Sequence, residues 1–247
     1  MKSIPFHRLH ELLFRTIRPR GTQELAHQGH RYIQKRYDRF PQIALPFLKS
    51  PVTLEQALST RSSVRRPHQH ALNQEDIGTI LGMSMHISSA ENERGYPSGG
   101  GKYPIEVYFV CMQSTDLRAG VYHYRPDTHA LEHLWDLPEN THIYSVLPCA
   151  WLHPRTNPLV SGVFVFTSIW SRNNEPYRQF AYPLALTESG HIAQNILLSA
   201  SARNLKGVPV SGINHAQMAQ LLGVDIAYET PLYSVTFLHD DTPSPDT

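Results

Sequence analysis

Two rhythms of apolar residues run along this chain, and each marks a different kind of element. A period near 3.6 sets Ile77, Ile80, Leu81 and Ser84 on one helix face, with Asn73 placed to cap it. The same spacing over Pro183–Asn204, carried by Leu184, Ile192, Ile196 and Leu197, predicts the longest helix. Shorter helices are predicted from Thr53 as cap through Ser59, with Glu55 and Gln56 in the first turn, and from Asn214 as cap to Gly223. Strand-like runs occupy Ile105–Cys111, Gly162–Ile169 and Leu232–Leu238, and Gly120–Leu134 reads as a hairpin turning at Pro126–Asp127. A loop rich in Gly, Ser and charge spans Ser88–Tyr103. A Pro-punctuated stretch, Pro41–Pro51, closes a helical or irregular lead-in over residues 1–50, and a polar tail follows His239. The order has no βαβα rhythm, no internal repeat and no low-complexity tract, which predicts an α+β fold rather than a doubly wound sheet.

Composition narrows the class. With 247 residues, 40% hydrophobic and 17% charged, the chain can bury a substantial core, which excludes disordered, collagen-like and disulfide-dense proteins. A net charge of +1 gives no whole-chain case for nucleic acid. The charge is uneven: residues 1–39 hold nine Lys or Arg against three acidic residues, a balance of +6 that leaves −5 for the remainder. Such a segment can grip an acidic partner, an anionic surface or the acidic body of its own fold, and the last is the simplest reading. Cys111 and Cys149 belong to no CxxC pair and are expected as two buried thiols in a reducing cytoplasm. No run of about 20 apolar residues occurs, and the N-terminal stretch lacks a clean apolar region, so neither a membrane span nor a secretory signal is expected. His68-Gln69-His70 and His27-Gln28-Gly29-His30 have ligand-like spacing but no third ligand arranged beside them, so no metal is expected. Trp135, Trp151 and Trp170 are expected in the core or in subunit contacts.

Two strings carry chemistry. Arg61-Ser62-Ser63-Val64-Arg65-Arg66 sets guanidiniums beside hydroxyls near a short helix, a combination that can hold a phosphate; taken alone, such a cluster is more often a solvated face. Pro97-Ser98-Gly99-Gly100-Gly101-Lys102-Tyr103-Pro104 stands directly before a strand. Its glycines allow close backbone approach to a flat or anionic ligand, and in isolation the string is equally a flexible loop. It is neither a Rossmann nor a Walker fingerprint.

In this order and spacing, the chain resembles the nitroreductase-like flavoproteins, and more closely their SagB-type dehydrogenase branch, whose members include oxidases that form thiazoles and oxazoles in ribosomal peptides. The R-x-S-x-R entry is similar to Arg61 to Arg65. The P-S-G-G-x-x-Y-P-x-E loop is matched by Pro97, Ser98, Gly99, Gly100, Tyr103, Pro104 and Glu106. Gly120, Tyr122, Tyr124, Leu131 and Glu132 resemble the family hairpin, and Glu188, Gly190, Gln194 and Asn195 its helix pattern. The resemblance covers residues 53–238. It implies an FMN-binding domain over 51–239, with a central mostly antiparallel sheet flanked by helices, and a homodimer in which both subunits build each flavin site. Arg61, Ser62, Ser63 and Arg65 would then hold the FMN phosphate and ribityl chain. The Pro97–Gly100 loop would lie along the ring of the partner subunit's flavin. Gly207–Gly212 resembles the family's turn against the other flavin face.

The branch's azoline oxidases carry a Lys-Tyr pair before the long helix. The Tyr position falls on Tyr177, which is therefore the catalytic candidate; the Lys position falls on Pro176, and no lysine lies between Lys102 and Lys206. Proline can neither accept a proton nor shift a neighbour's acidity by charge. His123 can face the flavin pocket only if Tyr122 and Tyr124 do not, because strand side chains alternate. Glu106 and Glu188 have a plainer reading as partners of buried polar groups. The resemblance thus implies an FMN-dependent dehydrogenase acting on a peptide or small heterocycle, azoline to azole, alongside other peptide-maturation enzymes. Two alternatives stay open: an NAD(P)H-dependent nitroreductase-type enzyme on another conjugated substrate, and a catalytically reduced binding subunit of a modification complex.

Overall fold

The computed structural model describes residues 34–65, 69–85, 94–153 and 159–240, together with Arg8 and Ile87. Arg66, His27, His30, His68, most of the lead-in, residues 88–93 of the loop and residues 241–247 of the tail lie outside the described residues. Seven strands form one sheet: β1 (Gln42–Ala44), β2 (Ile105–Cys111), β3 (Gly120–Arg125), β4 (Ala130–Asp136), β5 (Val160–Ile169), β6 (Gly207–Val210) and β7 (Glu229–Leu238). Their order is β1-β4-β3-β2-β5-β7-β6, and every pairing is antiparallel. The helices are α1 (Leu54–Thr60), α2 (Gln74–Met85), α3 (Ile143–Val146), α4 (Asn174–Tyr177), α5 (Ala181–Ser201) and α6 (His215–Leu222), with short 3₁₀ turns between. No helix among the described residues is long and apolar enough to cross a membrane.

The caps act as their residue types require. Thr53 and Gln56 form a reciprocal capping box at α1. Asn73 Oδ1 accepts from the Asp76 amide at 2.7 Å, and Asn214 caps α6, which ends on Gly223 in the left-handed region. The hairpin forms as expected, with Arg125 opposite Ala130. Three readings need correction. The Pro-punctuated lead-in contains β1, too short for its alternation to register. Gly207–Val210, expected as a turn, is an edge strand paired with β7. β7 itself begins at Glu229 because Pro231 is accommodated at a register shift opposite Thr167, where a missing N–H does least harm.

Alternation along the strands makes two cores. Val107, Phe109, Tyr122, Tyr124, Phe164, Phe166, Val235 and Phe237 face α2 and α5. Tyr108, Val110, Val121, Val163 and Val165 face the other way, under Ile143, Val146, Met218 and Leu222 of α3 and α6. Since both sheet faces are covered, strands such as Ile105–Cys111 are buried at every position. Cys111 lies in this interior, and burial pushes its thiol up to about 12; Cys149, expected to be buried, is only half-buried.

One end of the second face is charged. His123 points away from Tyr122 and Tyr124 and is fully buried, its Nε2 2.9 Å from Glu106 Oε2 and its Nδ1 2.7 Å from Glu132 Oε2. Arg172 Nη1 lies 2.5 Å from Glu106 Oε1. Burial alone would raise Glu106, but the His123 hydrogen bond and the Arg172 charge hold its carboxyl at about 2. Burial would likewise lower His123, yet its two carboxylates keep it raised above its usual 6.5. The described end of the basic segment closes this network from outside. Lys35 Nζ sits 2.5 Å from Glu229 Oε2 and donates to the Tyr108 hydroxyl at 2.6 Å, while the Tyr37 amide donates to Glu132 Oε1 at 2.9 Å. Lys35 and Arg36, at the described end of the lead-in, pair with Glu229 and Asp127 of the body of the fold. His70, half of the other histidine pair, bonds Asp76 at 2.8 Å.

Removing His123 strands two buried carboxylates. His123→Ala is expected to lower the urea unfolding free energy at pH 6 by about 3–5 kcal/mol. A loss below about 1 kcal/mol, within the range of an exposed pair, would contradict the network's role. Because the folded imidazole titrates above the unfolded value, its contribution is complete below pH 6.5 and fades as pH rises through the higher folded value.

Candidate functional site

The site begins on α5. Glu188 and Asn195 stand seven residues apart, two helical turns, and so share one face. Both hold the loop that precedes β2. Ser98 Oγ donates to Glu188 Oε2 at 2.6 Å and accepts from the Tyr103 amide at 2.9 Å, while Asn195 Nδ2 donates to the Gly95 carbonyl at 3.0 Å. Within the loop, Gly100 takes φ 59° and ψ 23°, a left-handed conformation open to glycine without penalty. A Cβ at Gly100 would lie 2.5 Å from Tyr177 Oη, so the tyrosine hydroxyl rests directly over that backbone. Gly99 in turn lies against Leu184 of α5. Tyr177 ends α4 and is half-buried. The structure therefore brings Tyr177 against Gly100 of the Pro97–Gly100 loop.

Beside the loop is a cavity of about 460 Å³ lined by Arg94, Tyr96, Ser98, Gly101 and Tyr103 among others. The Arg94 guanidinium lies over the Tyr103 ring at 5.1 Å and donates to the Tyr96 hydroxyl at 2.7 Å. Arg172 donates to the Tyr103 carbonyl at 3.0 Å while holding Glu106, which couples the loop to the buried charge network. Glu188 is 3% exposed, and its Oε1 is buried with no hydrogen-bond partner among the described residues. Burial raises its carboxyl to about 7, against the opposing pull of the Ser98 hydrogen bond and the Arg94 charge.

The arginine string lies elsewhere. Arg61 closes α1 through its amide to the Ala57 carbonyl at 3.0 Å, with Nη1 3.5 Å from Ser63 Oγ. Arg61 and Ser62 are half-buried, and Ser63 and Arg65 are exposed. α1 is docked on the far end of α5, where Ser201 Oγ meets Thr60 Oγ1 at 2.8 Å and donates to the Ala57 carbonyl at 3.1 Å. Ser201 is thirteen residues from Glu188, a rise of about 20 Å along the helix. Among the described residues, no hydrogen bond or ion pair joins the two strings. Gly207 is separate again: a Cβ there would meet Val235 Cγ1 at 2.8 Å, Phe237 Cζ at 2.9 Å and Leu197 Cδ2 at 3.2 Å, so core packing accounts for its glycine.

Arg94 and Arg172 escaped the sequence reading, since neither stands in a periodic run or in one of the matched strings. Glu188 was visible only within the helix pattern. The two carboxylates of the loop and hairpin strings, Glu106 and Glu132, converge on His123, which stands at the unmatched position between the two hairpin tyrosines.

Residues 58–237 match the model of the family described as Nitroreductase family. The chain is 25% identical over 183 residues to a Methanocaldococcus jannaschii protein named as a nitroreductase, covering 74% of this chain and 90% of that protein. It is 33% identical over 144 residues to the microcin B17-processing protein of Escherichia coli, covering 56% of this chain and only 52% of that relative. Among solved structures, the Escherichia coli microcin synthetase complex with truncated pro-MccB17 bound is alike in fold, with TM-score 0.60 at 22% identity, covering 98% of this chain and 84% of the matched one.

The contact between Tyr177 and Gly100 can be tested by a double-mutant cycle. Gly100→Ala is expected to destabilise by about 1–3 kcal/mol through backbone strain and the clash. In a Tyr177→Phe background it should cost less, with a coupling of at least about 0.5 kcal/mol. Strict additivity would place the hydroxyl elsewhere.

Proposed function

Since the chain belongs to the nitroreductase family, we propose that it is an FMN-dependent oxidoreductase of the SagB type, oxidising a peptide-derived azoline to an azole. The observation that carries this reading is the Tyr177 hydroxyl seated over Gly100 of the glycine loop. It places a proton-handling group against a backbone suited to a flat ring. The residues fit FMN. Exposed Arg65 and half-buried Arg61, with Ser62 and Ser63, offer charge-assisted donors to a phosphate. A Cβ at Gly101 would meet nothing within 4 Å, so beside Gly100 the left-handed Gly101 backbone presents an open face.

Bound at this site, FMN would supply a two-electron acceptor for the substrate carbon. The chain's own part is to bind, orient and move a proton. Arg61, Ser62, Ser63 and Arg65 would anchor the phosphate end. The Pro97–Gly100 backbone would orient the ring and present N–H donors to its carbonyl edge. Tyr177 Oη would hold or take the proton leaving the substrate ring. With the glycine loop seated on Glu188, and α1, which leads into the arginine string, docked at Ser201 about 20 Å further along α5, the proposed site is completed across a homodimer, each protomer supplying one string to a given flavin. The kinship with a microcin-processing protein supports a peptide substrate and partner maturation enzymes. Pro176, where the branch carries lysine, favours one second reading: reduction of another small conjugated substrate with NAD(P)H.

The purified protein is expected to show a flavin absorption spectrum and to release FMN, identified by mass. A colourless protein that takes up no added FMN would contradict both readings and leave a binding subunit. Tyr177→Phe should retain flavin while turnover falls by about a hundredfold or more; undiminished turnover would remove Tyr177 from the mechanism. Arg61→Ala and Arg65→Ala should each weaken FMN binding about tenfold or more, as loss of a charge-assisted bond predicts. Unchanged affinity would reject the phosphate assignment.

A further inference from the structure

Glu188 has no part in the roles above, yet it is the group on which the loop is seated. We propose that Glu188 is a positioning residue that clamps the glycine loop through Ser98 when ionised and loosens it when protonated, so that the loop's order varies with pH. The inference stands on the geometry of the chain itself; only its consequence for flavin rests on the proposed function. Three observations carry it. Ser98 Oγ accepts from the Tyr103 amide and donates to Glu188 Oε2, the direction an ionised carboxylate requires. Glu188 forms no ion pair among the described residues, and its second oxygen is buried without a partner. The charged groups whose fields reach it are Arg94 on the loop and Arg172 in the turn after β5.

These features are balanced against each other. Burial favours the neutral carboxyl; the Ser98 donor, the Ile105 amide and the two guanidiniums favour the carboxylate. The carboxyl accordingly titrates at about 7 rather than its usual 4.5, within the physiological range. Ionised, it makes a charge-assisted hydrogen bond roughly twice as strong as the neutral one. Ser98, and through it the Tyr103 amide, therefore follows the charge on Glu188. The loop that crosses under Tyr177 is seated most firmly above neutrality.

The test is amide hydrogen exchange of the full chain without added flavin, read by mass spectrometry over residues 97–103 at pH 6 and pH 8 and corrected for the intrinsic pH dependence. Protection in the wild type should be severalfold greater at pH 8. Glu188→Gln, which keeps an acceptor for Ser98 but no charge, should show equal protection at both values. A Glu188→Gln protein with the wild-type dependence would overturn the proposal, as would a wild type with none. Should that variant fail to fold, Ser98→Ala removes the hydroxyl that reads the charge and must also flatten the profile. A parallel FMN titration should give wild-type affinity at least threefold tighter at pH 8 and a pH-independent value in Glu188→Gln. A wild type that binds no FMN would refute the flavin reading, while the exchange data would still decide the role of Glu188.

Discussion

The packing of α5 on the sheet is the constraint from which the candidate site follows. Its buried stripe, Ala185, Ile192, Ala193, Ile196 and Ala200, meets the face built by Phe109, Phe164 and Phe237. Small alanines against large aromatics let the helix lie close to the strands, and the contact fixes its rotation. Once the rotation is set, Glu188 and Asn195 must point at the loop before β2, and Ser201 must meet α1. The helix is thus both core element and ruler. It seats the glycine loop near one end and the arginine string at the other.

The opposite face of the sheet solves a different problem. Alternation forces Glu106, Tyr108 and His123 into an interior that offers no water. Each finds a partner there: Glu106 and Glu132 share His123, and Tyr108 donates to Glu229, which Lys35 also holds. Such networks add less stability than hydrophobic replacements of equal volume would, but they tolerate no missing member. Here the network also reaches outward through Arg172 to the Tyr103 carbonyl. The loop is therefore tied to the sheet by charge on one side and to α5 by Ser98 and Gly95 on the other.

Much of this was legible in the sequence where a local rule decides the outcome. Thr53, Asn73, Asn214 and Gly223 announced their helix ends because caps are chosen by neighbours within four residues. The alternation argument separated His123 from Tyr122 and Tyr124 correctly. Elements decided by distant partners were not legible. β1 and β6 are too short to show a period, and each exists because an edge of the sheet was available. The meeting of Tyr177 with Gly100 joins segments separated by two strands and a hairpin, and nothing local foretold it. Gly207 shows the converse: its Gly-Pro context suggested a turn, whereas Leu197, Val235 and Phe237 simply leave no room for a side chain.

The central claim is that the arginine string and the glycine loop serve the same flavin from different protomers. It is tested most directly by mixing two defective chains carrying different tags. One would carry Arg61→Ala with Arg65→Ala, and the other Gly100→Val, each unable to hold FMN as a homodimer. In a mixed pair one site receives both intact strings and the other neither. The account predicts that purified mixed pairs regain half the flavin content of the wild type. Mixed pairs as empty as their parents would contradict it, because both strings would then be needed within a single chain.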